Sequence, residues 1–399
     1  MYFIDKLVDG KMCSTVFTLK QILKQKCFKK NVCAIRNYSS FRIFSKEDDS
    51  KQELVTFSQE DTQEFMSYFP LIVKDLTSEH FVEDMEECRK RFSLCLQKTV
   101  PNGKRVRGLT TVIAYKLLEK PEYLTSENVK LANILGWSTE LVEGALIVYD
   151  DLMDESHTRR NTICWHRQEG VGLIAVADAI ALNFSSYVIL KKYFATHPHY
   201  ANMFEFCHEI MFNTALGQSM DSIRYLPEQI SMQKFKTIAK YKTGFYTFYY
   251  PVVLGMFLAR RYDEKILNKQ MSSILFDMGE FFQIKNDLND CFAKLEETGK
   301  AGSDIENSKC TWLAVKALEK FTPSQRKLFD KNYGKFDADA VTVIRNLYLE
   351  LKLKEEYDTY EANFFKSVRS RGDLIKSPYS DVLAVLINKL EKQIYSTKL

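Results

Sequence analysis

From Gln59 onward the chain is a succession of long stretches in which apolar residues recur at i, i+3, i+4 and i+7, the spacing that gathers them on one face of an α-helix. The stretches 59–76, 81–98, 104–118, 140–155, 172–194, 200–225, 232–258, 264–292, 308–321, 338–357 and 379–395 are each predicted helical. No window alternates apolar and polar residues between hairpin turns, so no strand is expected. Short polar segments at 120–125 and 298–303 read as connecting turns. The pattern predicts one all-α domain over residues 46–399, with no internal repeat.

Composition agrees with that reading. A chain of 399 residues can enclose a substantial core, and 15 Gly with 8 Pro is too few for a collagen-like, low-complexity or turn-rich all-β protein. The net charge of +4 is unevenly divided: residues 1–45 carry nine Lys/Arg against Asp5 and Asp9, a local +7, which leaves the remainder at −3. A nucleic-acid binder keeps its basic excess on the folded body, so that class is excluded. Residues 10–46 contain no acidic side chain, are rich in Lys, Ser and Thr, and reach Arg36-Asn37-Tyr38-Ser39-Ser40, which reads as a mitochondrial transit peptide and its cleavage region. The alternative is a disordered basic leader on a cytoplasmic protein. Nine scattered cysteines without a CxxC pair suit reduced thiols in an intracellular chain. No run approaches 18 apolar residues, so no transmembrane segment is expected.

Candidate chemistry begins at Asp150-Asp151-Leu152-Met153-Asp154, which ends the apolar helix over 141–149. The i, i+4 spacing sets Asp150 and Asp154 one turn apart on one face, with Asp151 beside them. A solvated acidic face is the plainer reading of such a cluster. Its place at the end of a helix of Leu, Ile, Val and Tyr favours a site, and hard oxygen donors suit Mg²⁺, which takes one or two carboxylates plus substrate phosphates. Asn286 and Asp290 repeat the spacing on a second apolar helix. Cations follow both sets: Arg159 and Arg160 after the first, Lys300 and Lys309 after the second, with Lys242 between them and Lys104, Arg105 and Arg107 opening an earlier helix. Singly each is a surface residue, whereas together they suggest a diphosphate site.

The sequence resembles the trans-isoprenyl diphosphate synthases of the farnesyl diphosphate synthase type, from about Gln59 to the C-terminus. The matching residues are Gly103-Lys104 with Arg107-Gly108, Asp150 to Asp154 with Thr158-Arg159-Arg160, Cys164-Trp165, Gly170 to Leu173 and Gly217-Gln218. They continue through Tyr241-Lys242-Thr243, Phe245-Tyr246, Gly279-Glu280, Phe282-Gln283-Ile284, Thr298-Gly299-Lys300, Asp304-Ile305 and Lys309 to Trp312. The resemblance implies an antiparallel helical barrel, shared with the class I terpene synthases, in a homodimer. In that family two aspartate-rich motifs hold three Mg²⁺ ions on an allylic prenyl diphosphate. By position, Asp150, Asp151 and Asp154 would be first-motif residues, and Asn286 and Asp290 would belong to the second. Arg159, Lys242, Lys300 and Gln283 would hold the allylic diphosphate, and Asp150, Asp154, Arg159 and Lys242 would carry its ionisation. Gly103, Lys104, Arg107 and Arg160 would contact isopentenyl diphosphate.

Four departures from the family shape the functional expectation. Glu143 stands where the family has Gln, and two unit charges 4 Å apart repel by about 4 kcal/mol at an effective dielectric near 20. Pairing of Glu143 with Arg107 or Arg160 would leave only a weakened site. Asn286 replaces an aspartate, Ala145 and Leu146 replace bulky aromatic floor residues, and the basic tail shrinks to Ser396-Thr397-Lys398-Leu399. Together these predict a Mg²⁺-dependent terpene synthase, of the kind insects derived from this family, ionising farnesyl diphosphate to a sesquiterpene. The alternative is an isoprenyl diphosphate synthase condensing dimethylallyl or geranyl diphosphate with isopentenyl diphosphate. A third reading, a weakly active partner subunit, is disfavoured by the intact Asp150 to Asp154 motif and its cations.

Overall fold

The computed structural model describes residues 58–78, 84–299 and 302–395. The basic leader, Lys300 and residues 396–399 fall outside the described residues, and the expectations attached to them with it. The described residues form one compact unit.

The fold is all-helical, as the spacing predicts. Helix α1 (Gln59–Ser67) starts at a capping box, in which Asp61 N–H donates to the Ser58 hydroxyl at 2.9 Å and Ser58 N–H donates back to the Asp61 carboxylate at 3.2 Å. The predicted helix over 59–76 is in fact two, because Pro70 sits in the first turn of α2 (Phe69–Thr77), where its missing N–H costs nothing. They are followed by α3 (Glu86–Thr99), α4 (Val106–Leu118) and α5 (Ser126–Met153). The last has 28 residues and begins 14 residues before the predicted stretch 140–155: Thr125 caps it, and its apolar residues run all round the helix, which belongs to a buried element.

A hairpin of two-residue strands, β1 (Thr158–Arg159) and β2 (Thr162–Ile163), pairs Thr158 with Ile163; no strand was expected there. Then come α6 (Ala175–Phe194) and α7 (Tyr200–Asp221), followed by α8 (Met232–Ile238), which runs through a π-helical segment at Ala239–Tyr249 into α9 (Tyr250–Leu258). A short α10 (Glu264–Ile266) and a second π turn, Leu267–Met271, lead to α11 (Ser272–Phe292) and α12 (Leu295–Thr298). The C-terminal part comprises α13 (Trp312–Lys320), α14 (Pro323–Asn332), α15 (Ala338–Glu350), α16 (Leu353–Gly372) and α17 (Tyr379–Tyr395). The predicted helix over 338–357 breaks at Lys352, whose φ of +53° cannot continue a helix.

Helix α5 lies between α4 and α6, and the π segment lies between α7 and α11. Glycines permit the second arrangement. A Cβ on Gly217 would sit 2.3 Å from Lys242 N, and one on Gly279 would sit 2.3 Å from Gly244 Cα. The three backbones therefore approach more closely than side chains allow. Trp137 anchors α5 to α1, stacking on Phe65 with centroids 4.4 Å apart and donating its indole N–H to the Phe65 carbonyl at 2.8 Å.

By length and composition two helices could cross a membrane, Ser126–Met153 and the stretch Gly172–Phe194. A search for uninterrupted apolar runs misses both because polar residues interrupt them. The first is a core helix with 83% of its apolar window buried; the second has only 44% buried. Five of the six described cysteines are buried.

Candidate active site

The long helices enclose a cavity of about 610 Å³ whose wall holds most of the candidate residues. At one side α5 ends on its acidic cluster. Asp150 and Asp151 lie in the final turn and Asp154 is the C-cap, where the helix dipole disfavours negative charge. Three cations from other parts of the chain offset this. Arg159, on β1, donates from Nη2 to Asp150 at 2.6 Å and from Nε to Asp151 at 2.8 Å. Lys242, on the π segment, reaches Asp150 at 3.1 Å and Asp221 at 2.5 Å. Lys309 reaches Asp154 at 3.0 Å and Asp221 at 3.1 Å. Gln218 adds a hydrogen bond from Nε2 to Asp150 at 3.1 Å.

These contacts fix the protonation states. Burial works against every charge here, yet the neighbouring carboxylates raise Arg159, Lys242 and Lys309 above their ordinary values. Burial likewise works against ionisation of Asp221, but Lys242 and Lys309 outweigh it and hold the carboxyl at about 2. Among the described residues no three Asp, Glu, His or Cys side chains converge as a preformed metal cage. The first-motif oxygens are tied to cations.

The second candidate set behaves differently at each position. Asn286 is exposed and lines the cavity. Asp290 accepts from the amides of Ser303 at 3.0 Å and Asp304 at 2.9 Å, so the predicted metal ligand serves as a clamp on the chain after α12. Asp287 accepts from Trp312 N–H at 2.8 Å and from Gln283 Nε2 at 3.0 Å; burial pushes it up to about 7 against those bonds. Gln283 in turn accepts from the Thr243 hydroxyl at 2.6 Å.

Across the cavity, Arg107 from the first turn of α4 and Arg160 from the hairpin meet Glu143 of α5. Glu143 Oε1 lies 3.0 Å from Arg107 Nη1 and 3.5 Å from Arg160 Nη2. Arg107 also donates to Thr247 at 2.8 Å, and its guanidinium lies 4.2 Å from the centre of the Tyr246 ring. Gly103, with φ of +126°, leaves room for Arg160, whose Cζ would be 2.5 Å from a Cβ there. Lys104 is exposed at the rim. Glu143 is therefore a paired carboxylate, the milder of the two expectations. Of the two floor positions Leu146 lines the cavity, whereas Ala145 is fully buried and is not part of its wall.

Sequence reasoning missed Asp221, the partner shared by two lysines, and counted Lys309 among the cations of a diphosphate site without giving it a partner or a role. Gln218 and Asp221, at i and i+3 after Gly217, were the available signal: they fall on one face of α7 beside the glycine that admits Lys242.

Comparison with known proteins agrees on one group. The model of the polyprenyl synthetase family matches residues 89–351. A farnesyl pyrophosphate synthase of Gallus gallus is 37% identical over 317 residues, 78% of this chain and 86% of that protein. The enzyme of the same name from Saccharomyces cerevisiae is 37% identical over 342 residues, 83% of this chain and 97% of its own length. One from the insect Murgantia histrionica is 34% identical over 338 residues, 84% of this chain and 83% of its own length. Among solved structures, T. brucei farnesyl diphosphate synthase complexed with risedronate superposes with a TM-score of 0.78 at 28% identity, covering 85% of this chain and 100% of the other.

The terpene synthase expectation is thereby corrected. The relatives, the insect one included, are farnesyl pyrophosphate synthases, and the activity they indicate is prenyl transfer rather than carbon–oxygen lysis. The physical reason lies in two of the departures that suggested a lyase: Glu143 is neutralised by two arginines, and Ala145 does not enlarge the cavity.

Proposed function

The chain belongs to the polyprenyl synthetase family, as a trans-isoprenyl diphosphate synthase of the farnesyl pyrophosphate synthase type, and from that premise we propose that it condenses an allylic diphosphate with isopentenyl diphosphate, yielding geranyl or farnesyl diphosphate. The observation that carries this reading is the presence of two separate cationic sites on one cavity. Arg159, Lys242 and Lys309 form one, around the end of α5; Lys104, Arg107 and Arg160 form the other.

The first site suits the allylic diphosphate. Asp150, Asp151 and Asp154, with the carbonyl oxygen of Asn286, are hard donors of the kind Mg²⁺ takes alongside substrate phosphates, whereas Asp290 is committed to two backbone amides. Mg²⁺ held by these oxygens would supply positive charge to the departing diphosphate. Arg159 and Lys242 turn from Asp150 to diphosphate oxygens, and the allylic C–O bond breaks with its electron pair leaving on the diphosphate. The remaining cation faces apolar and aromatic wall such as Leu146, Phe281 and Phe282. The double bond of isopentenyl diphosphate, held from Arg107 and Arg160, attacks that cation to form the new carbon–carbon bond, and the carbocation so formed loses a proton to the departed diphosphate, which restores a double bond.

A homodimer is part of the same proposal. Helix α6 leaves Val176, Ile180 and Phe184 exposed at four-residue steps, and α7 leaves Phe212 and Leu216 exposed. Apolar stripes of this kind on two helices that contact each other suit an equivalent surface on a second copy.

The deciding experiment incubates the chain with Mg²⁺ and either dimethylallyl plus isopentenyl diphosphates or farnesyl diphosphate alone. The first mixture is expected to yield longer prenyl diphosphates. Hydrocarbon or alcohol from the second, with no elongation in the first, overturns the proposal.

A further inference from the structure

Glu143 is 7% exposed and lies in the cavity wall, where its Oε1 serves both Arg107 and Arg160. Its other oxygen, Oε2, is buried with no hydrogen-bond partner among the described residues. The two arginines that the preceding proposal assigns to the second substrate's diphosphate are thus already held by an internal anion. Glu140 lies one turn back on α5, 3% exposed, accepting from Gly108 N–H at 2.7 Å through Oε1. Burial pushes Glu140 up to about 7, and the charge of Glu143 adds to the shift.

The groups around Glu143 are few. Helix α4 presents Arg107, the hairpin presents Arg160, the π segment presents the phenol of Tyr246, and α5 itself presents Glu140, with Lys104 at the rim. Helix α3 supplies only the carbonyl of Thr99, which accepts from Arg160 at 3.4 Å. When a diphosphate takes Arg107 and Arg160, the one cation of this set left over is Lys104, exposed at the rim, and two buried carboxylates stand beside a polyanion.

We propose that Glu143 is a built-in competitor for the second substrate: isopentenyl diphosphate displaces its carboxylate from Arg107 and Arg160, and the Glu143–Glu140 pair takes up one proton from solvent as the diphosphate binds. Binding of the second substrate is therefore coupled to pH.

This inference rests on the preceding functional reading, and its test is separable from it. The full chain is titrated calorimetrically with isopentenyl diphosphate, without divalent metal, between pH 6 and 8.5 in buffers of different ionisation heat, alongside Glu143→Gln. The wild type is expected to take up about one proton more than the variant, and its affinity to rise by up to about tenfold per pH unit as the pH falls. Glu143→Gln keeps the size and hydrogen-bonding capacity of the side chain, and is expected to bind about tenfold more tightly at pH 8 with the additional pH dependence gone. Equal proton uptake in the two proteins, no gain of affinity in the variant, or no binding by either overturns the inference. If the chain condenses its substrates but the two titrations coincide, the inference falls and the function stands. If no condensation occurs but the extra proton uptake disappears in the variant, the function falls and the role of Glu143 stands.

Discussion

Lys242 Nζ lies 2.5 Å from Asp221 Oδ2 in the cavity wall, one partner on the π segment and the other at the end of α7. Lys309 approaches the same carboxylate oxygen, so Asp221 sets the position of two of the three cations that restrain the acidic end of α5.

Replacing Asp221 with Asn is expected to destabilise the fold by about 3 kcal/mol at pH 7, because two buried ammonium groups lose a shared counter-charge. The carboxyl is held at about 2 in the fold against 3.8 ordinarily. Its stabilising contribution is present above about pH 4 and disappears as the pH falls toward 2, an effect of about 2 kcal/mol. Urea unfolding of both proteins from pH 2 to 7 checks this, since their stabilities should converge at the acid end.

Glu140 titrates with the opposite sign. Its carboxyl sits at about 7 in the fold against 4.5 ordinarily, so the fold prefers it neutral and loses stability as the pH rises from 4.5 through 7. Glu140→Gln keeps an acceptor for the Gly108 amide. It is expected to gain about 2 to 3 kcal/mol relative to the wild type at pH 8 and little at pH 5. Thermal midpoints of both proteins at the two pH values measure the difference.

Gly279→Ala would drive a Cβ to 2.3 Å from Gly244 Cα, a backbone atom that no rotamer change can move aside. The expected cost is about 1–3 kcal/mol of stability. Because the π segment carries Lys242 and Thr243, kcat for prenyl transfer is expected to fall more steeply than the folded fraction at the assay temperature. Circular dichroism and steady-state kinetics on one preparation separate the two losses.

Phe184→Asp combined with Phe212→Asp places charge on the two exposed apolar stripes. Light scattering coupled to gel filtration is expected to report a dimer for the wild type and a monomer for the variant. Its helical circular dichroism should be unchanged, because neither side chain belongs to the buried core.

The helical architecture was legible because its signal is local. Apolar spacing locates the helices that enclose the cavity, and the acidic motif at the end of α5 stands out for its position. The π segment was not legible: a widened turn keeps nearly the same face apolar, and what demands it is the glycine contact with α7 and α11. Helix α14 and all but the first turn of α16 escaped notice because charged residues crowd their sequences and dilute the apolar periodicity.

At the site, sequence alone identified Asp150, Arg159, Lys242 and Gln283, which the fold does place around one cavity. It misjudged residues whose meaning depends on what they face. Glu143 looked like a repulsive intruder until Arg107 and Arg160 were seen on either side of one oxygen. Asp290 looked like a ligand because its spacing repeats that of Asp154, yet its oxygens face the amides of Ser303 and Asp304. Ala145 looked like cavity floor but points into packed core.

The contacts of Gly217 with Lys242 and of Gly244 with Gly279 place the backbone of Lys242 by main-chain apposition, and Asp150 and Asp221 then fix its ammonium group. Side chains elsewhere in the cavity wall, Leu146 and Phe282 among them, can consequently be exchanged to alter the room beside Lys242 without disturbing the backbone that carries it.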